Sequence, residues 1–181
     1  MPVSEYKIVL YCAGFMIISS AWLLVCTEGL NVFALLRYTM ILVFGYLAML
    51  IDLNTRHIPN SLILSMLSVW LFVMIPQIFL DTETGIRLLK DSVLGLLTGG
   101  GLFLLVYLIS RNGLGGGDVK FMAAAGLYLG FRSTIPAILY GTTLAALTGI
   151  VLILLKKIGR KDTMPLAPFL YVGILITVFM V

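Results

Sequence analysis

The sequence predicts an all-α bundle of six to seven membrane-spanning helices, and three observations predict it. Sixty-one per cent of the 181 residues are apolar, and only 11% are charged, where a soluble domain carries about 25%. The apolar residues collect in runs close to the roughly 20 residues that a transmembrane helix needs. The few charged residues fall mostly between those runs. Little chain is left for a soluble domain, so residues 1–181 read as a single membrane-embedded unit.

The first run, 8–26, follows Lys7 and contains both cysteines, Cys12 and Cys26. It is long for a cleaved signal peptide and no small-x-small site follows it. The two cysteines read as small apolar helix residues rather than as a zinc site or a disulfide framework. The second run, 32–51, carries Arg37, a costly residue in hydrocarbon for which outward snorkelling is one option and whose role the sequence leaves unexplained. The third, 61–80, is opened by Pro59, which drives Ile58 out of helical geometry, and by Asn60, a good N-cap.

The fourth run, 92–110, holds Gly95, Gly99, Gly100 and Gly101, and the fifth, 119–130, holds Gly126 and Gly130. Both patterns suit close helix packing through small residues. The fifth run is short and crosses only if tilted, extended or set in a thinned bilayer. The sixth is 134–155. The seventh, 165–181, begins with Pro165 and Pro168, which loosen its first turn and leave backbone groups without intrahelical partners.

Charge gives the orientation. With seven crossings and the N-terminus inside, the inner loops hold Lys7, Arg56, Arg111, Lys120, Lys156, Lys157, Arg160 and Lys161. The other face holds Arg37, Arg87, Lys90 and Arg132. That eight-to-four bias follows the positive-inside rule. If 119–130 did not cross, Lys156 to Lys161 would lie outside, so the same count favours the short span. The rule also accounts for the net charge of +4 without nucleic acid as a partner.

Three polar clusters fall on the inner face under this topology. Asp52 follows the run Tyr46-Leu47-Ala48-Met49-Leu50-Ile51 and sits at a helix end, ahead of Ile58-Pro59-Asn60. Gly113-Leu114-Gly115-Gly116-Gly117-Asp118-Val119-Lys120 opens another helix, where an acid is also a favourable cap. Thr163-Met164-Pro165-Leu166-Ala167-Pro168-Phe169 enters the last one and offers a backbone edge that an extended peptide could pair with. Ordinary turn and cap chemistry covers Pro59, Asn60 and Arg56 well. It explains Asp52 less well.

Asp52 and Asp118 are 66 residues apart on two helix ends that can converge in a bundle. Two carboxylates held close cannot both ionise cheaply, so they share a proton. One then activates a water as base while the other protonates a carbonyl oxygen. Such a site needs no metal and no cofactor. His57 is the sole histidine, which rules out HExxH zinc chemistry, and as a lone loop histidine it reads as solvated. No GxSxG elbow is present. On the residues alone, a proton- or cation-coupled transporter with broken helices at Gly115–Gly117 and Pro165–Pro168 stays open, as does a structural membrane anchor.

At these positions the sequence resembles the prepilin peptidases and the archaeal preflagellin peptidases, membrane aspartyl proteases that trim the leaders of pilin-like subunits. Three stretches carry the resemblance: Asp52 with Ile58-Pro59-Asn60, Gly115-Gly116-Gly117-Asp118-Val119-Lys120-Phe121, and Met164-Pro165-Leu166-Ala167-Pro168-Phe169. Each is short, but all three occur in the family's order, over about residues 40–175. The resemblance implies that Asp52 and Asp118 are the catalytic pair and that Gly115 and Gly117 are the glycines of the GxGD motif. It further implies prepilin-like or preflagellin-like substrates, cut just inside the prokaryotic cytoplasmic membrane. Lys120 is expected either to hold a carboxylate or lipid headgroups or, equally, to serve as a positive-inside anchor. The larger bacterial members carry a cysteine-rich segment and methylate the product. With cysteines only in the first run, methyltransfer is not expected here, and the chain resembles the short archaeal and tight-adherence forms. GxGD also resembles the presenilin-like intramembrane proteases, an alternative within the same chemistry.

Overall fold

A computed structural model describes residues 32–110, 113–157, 159 and 164–180. The expected first run, 8–26, with Cys12 and Cys26, lies outside the described residues, as do Arg111, Arg160, Lys161 and Thr163. Every regular element among the described residues is helical. In chain order these are α1 (Val32–Thr55), α2 (Asn60–Leu80), α3 (Thr82–Ser110), α4 (Gly116–Leu154) and α5 (Ala167–Met180). The first four are long and apolar enough to span a bilayer.

The exposed surface of these helices is itself apolar. Phe72, Phe79 and Leu80 of α2, Ile109 of α3 and Leu154 of α4 are each more than 70% exposed. A water-soluble protein rarely presents such a surface, whereas lipid tails match it. The chain is therefore a multi-pass membrane protein, with its core between the helices and its apolar rim against lipid.

Two helix boundaries differ from those expected. The helix assigned to 92–110 begins at Thr82. Its first turns are polar and were not counted as apolar run, but Asp81 starts them by accepting the Thr84 backbone N–H at 3.2 Å. Residues 119–130 and 134–155 form one continuous element broken only at Gly130, whose φ of 75° and ψ of 174° reverse the chain. Gly130 is thus more than a packing glycine. Only glycine adopts that backbone cheaply, and a Cβ there would also strike the Asp91 carboxylate.

The reversal lets α4 run down and back as a hairpin. Its first half lies antiparallel to α3, with Gly95 and Gly126 in backbone contact, and residues 121–130 are buried except Ala123. The second half returns alongside α5, where Gly141 and Gly173 allow close approach. Gly101, grouped by sequence with the packing glycines, faces open space.

A break in a helix leaves backbone groups without intrahelical partners. Here three neighbouring helices supply the partners. Trp70 Nε1 of α2 donates to Leu127 O at 3.0 Å, and Arg37 Nη2 of α1 donates to Tyr128 O at 2.7 Å. The Phe131 N–H donates to Asp91 Oδ1 of α3 at 3.2 Å, and Thr134 Oγ1 closes back onto Gly130 O at 2.6 Å. Arg37, left unexplained by the sequence, has a partner here. It does not snorkel but is 6% exposed, held inward by an orphan carbonyl.

Candidate active site

Four segments meet at the end of the bundle opposite Gly130: the C-terminus of α1, the Ile58-Pro59-Asn60 turn, the start of α4 and the entry to α5. Asp52 lies one turn before the end of α1, is 5% exposed, and faces the N-terminus of α5. Its Oδ2 accepts the Ala167 N–H at 3.0 Å, and the Leu166 amide also contributes. These are amides that a helix start leaves unpaired. Pro165 and Pro168 thus flank a backbone that Asp52 holds, and the amides at 166 and 167 are already engaged by it.

α1 stops in an unusual way. The Arg56 N–H returns to Asp52 O at 2.8 Å, and Arg56 itself takes a left-handed φ of 52°. That conformation commonly closes helices on glycine and is costlier for a side-chain residue. It turns the chain at once into His57-Ile58-Pro59 and leaves the guanidinium beside Asp52, on which its charge acts.

The glycine cluster has two tasks at the start of α4. Gly117 lets the helix approach α2, since a Cβ there would lie 3.2 Å from Ile58 Cβ, and Ile58 is only 3% exposed. Gly115 is the N-cap of α4. The half-buried Asp118 folds back to the Gly115 amide, the reciprocal contact of a capping box. In addition the Asp52 charge acts on the Asp118 carboxyl. Asn60 is the first residue of α2, with Pro59 in the cap position and no side-chain cap bond. Its Oδ1 instead accepts Lys120 Nζ at 2.9 Å, so Lys120 ties α4 to α2 rather than reaching a carboxylate.

Asp52 and Asp118 line the same two clefts. One, of about 230 Å³, runs past Arg56, His57, Ile58, Asn60, Gly115, Gly116, Gly117 and Lys120. The other, of about 380 Å³, runs past Arg56, Leu114, Met164, Pro165 and Leu166. The acid pair is therefore where the two clefts share a wall. Pro59 and Pro168 line neither and act through the backbone they shape. Sequence reasoning passed over Arg56 and His57 as site residues. The available signal was Arg56 standing one helical turn after Asp52. No group of three or more potential metal ligands occurs among the described residues.

A family model described as the type IV leader peptidase family matches residues 39–154, which include both aspartates, Ile58–Asn60 and Gly115–Lys120. The chain belongs to that family. The prepilin leader peptidase/N-methyltransferase of Escherichia coli (strain K12) is 31% identical over 134 residues, 70% of this chain and 55% of that protein. The protein of the same description from Bacillus subtilis (strain 168) is 30% identical over 125 residues, 67% of this chain and 46% of its own. That of Aeromonas salmonicida (strain A449) is 29% identical over 152 residues, 81% and 49% respectively. The chain thus spans about half the length of these type IV leader peptidase relatives. No solved structure matches it.

Proposed function

We propose that the protein is an aspartic endopeptidase that removes the leader of type IV pilin-like precursors at the cytoplasmic face of the membrane. The observation that carries this reading is the sharing of two clefts by Asp52 and Asp118, carboxylates from helix ends far apart in sequence. Family membership supports the substrate class.

The surroundings divide the labour of the pair. Burial disfavours a charge on Asp52, but backbone amides from the start of α5 and the field of Arg56 oppose that cost, and Asp118 has only the Gly115 amide to do so. Asp52 is the member that holds the negative charge and acts as base. Asp118, facing that charge, holds the shared proton. Asp52 takes a proton from water as the oxygen attacks the scissile carbonyl carbon, and Asp118 protonates the carbonyl oxygen. As the gem-diol collapses, one of its hydroxyls returns a proton to Asp118, the C–N bond breaks, and the departing amine takes the proton held by Asp52, which restores the singly protonated pair. No cofactor is required.

The acids stand at the helix ends, which supports cutting near the membrane surface and disfavours a presenilin-like cut within the bilayer. It equally disfavours a transporter, whose coupling acids are expected near the midplane. The test is to incubate detergent-purified protein with a prepilin bearing its intact leader and follow the products by mass spectrometry. The wild type is expected to release the leader in one cut, and folded Asp52→Asn and Asp118→Asn to release none. Near-normal cutting by either variant would reduce that aspartate to a helix cap.

A further inference from the structure

A second polar site lies at the other end of the bundle, away from the aspartates. The helix break at Gly130 accounts for only part of what is buried there. Arg37 spends Nη2 on Tyr128 O, yet its Nε has no partner among the described residues. Gln77 of α2 is 3% exposed, and its Oε1 also has no partner among those residues. An unpaired buried polar group costs about 1–3 kcal/mol, and these two belong to residues that border one space. Both line a cavity of about 440 Å³ together with Asp91, Arg132 and Ser133. That volume falls in the range of about 300–1,000 Å³ typical of ligand sites.

The chemistry of the lining defines the occupant. Two guanidiniums, Arg37 and Arg132, and one hydroxyl, Ser133, suit an anion with several acceptor oxygens. Gln77 and the Asp91 carboxylate, one oxygen of which already accepts the Phe131 N–H, suit a donor beside that anion. The cavity also sits at the ends of the apolar helices: Gln77 is in the last turn of α2 and Arg37 in the second turn of α1. This is the depth of lipid headgroups. We propose that the cavity binds the headgroup of an ethanolamine phospholipid, with phosphate toward Arg37 and Arg132 and ammonium toward Gln77 and Asp91. The bound headgroup links α1, α2, α3 and the Gly130 turn. The site stands apart from the proposed peptidase reaction.

The test is the thermal midpoint of the purified full chain in detergent, with phosphatidylethanolamine or phosphatidylcholine of identical acyl chains added. The ethanolamine lipid is expected to raise the midpoint by several degrees more than the choline lipid, whose quaternary ammonium has no N–H to donate. Arg132→Gln and Gln77→Leu should each remove at least half of that difference. Neither residue touches the break hydrogen bonds, and if one variant fails to fold the other decides. Equal shifts from the two lipids in the wild type, or a full difference retained in the folded variants, would overturn the site. A matching shift from soluble glycerophosphoethanolamine would overturn the lipid as its source.

Discussion

At the scale of residues, the proposed reaction rests on two chemically identical side chains having different neighbours. Asp52 is wrapped by backbone amides and Arg56, whereas Asp118 faces Asp52 and the glycine turn. A general acid or base contributes about 10²–10⁴-fold in rate, and each Asp→Asn variant should lose at least that. The rate should peak where the pair holds one proton. It should fall in acid as both protonate, and in alkali as both ionise. A rate still climbing well into alkaline pH would contradict the shared proton. Arg56→Gln removes a positive charge beside the base, so more alkaline conditions are needed to ionise it. The acid limb of the pH–rate profile is expected to move to higher pH, with about a tenfold loss near the optimum, roughly 1.4 kcal/mol of barrier. The aspartates were legible in the sequence because a charge that interrupts apolar residues is conspicuous. Arg56 was not, because a basic residue in an inner loop already has an explanation.

At the scale of elements, α4 matters most. A stretch of only a dozen apolar residues can form the first arm of this hairpin because it is buried among α1, α2 and α3 and need not match a bilayer alone. Its end at Gly130 is stabilised by Trp70, Arg37, Asp91 and Thr134. Gly130→Ala forces a side-chain residue into a left-handed backbone, costing about 1–3 kcal/mol, and drives its methyl into Asp91. A drop of several degrees in thermal midpoint is expected in detergent. Trp70→Phe keeps the ring but orphans Leu127 O. A loss of about 1–3 kcal/mol should follow, measured as a lower midpoint with cleavage retained below it. The break was only half legible: the sequence marked two apolar runs, yet nothing local distinguished Gly130 from the glycines that merely pack. Its partners come from three other helices, and such contacts leave no trace in a linear pattern.

At the scale of the whole molecule, the hydrophobic pattern exposed the membrane class because it is a bulk property, insensitive to the errors that blur helix ends. The start of α3 at Thr82 escaped the same pattern because its first turns are polar and helical at once. The structure places Arg56 and Lys120 at one end of the bundle and Arg37 and Arg132 at the other, the division on which the proposed orientation rests. Cysteines introduced at exposed Thr55 and Arg132, in a background lacking Cys12 and Cys26, should therefore react from opposite sides of sealed vesicles. Thr55 is expected to react from the cytoplasmic side. Reaction of both from one side would overturn the topology.

The central claim is that Asp52 and Asp118 act as one unit. It is tested most directly by kcat/KM for leader cleavage in wild type, Asp52→Asn, Asp118→Asn and the double variant. Residues that share a single chemical step are strongly non-additive. Each single substitution should remove essentially all activity, and the double variant should be no worse than either. Losses that multiply in the double variant, or a single variant cutting at a near wild-type rate, would show that the two aspartates act separately.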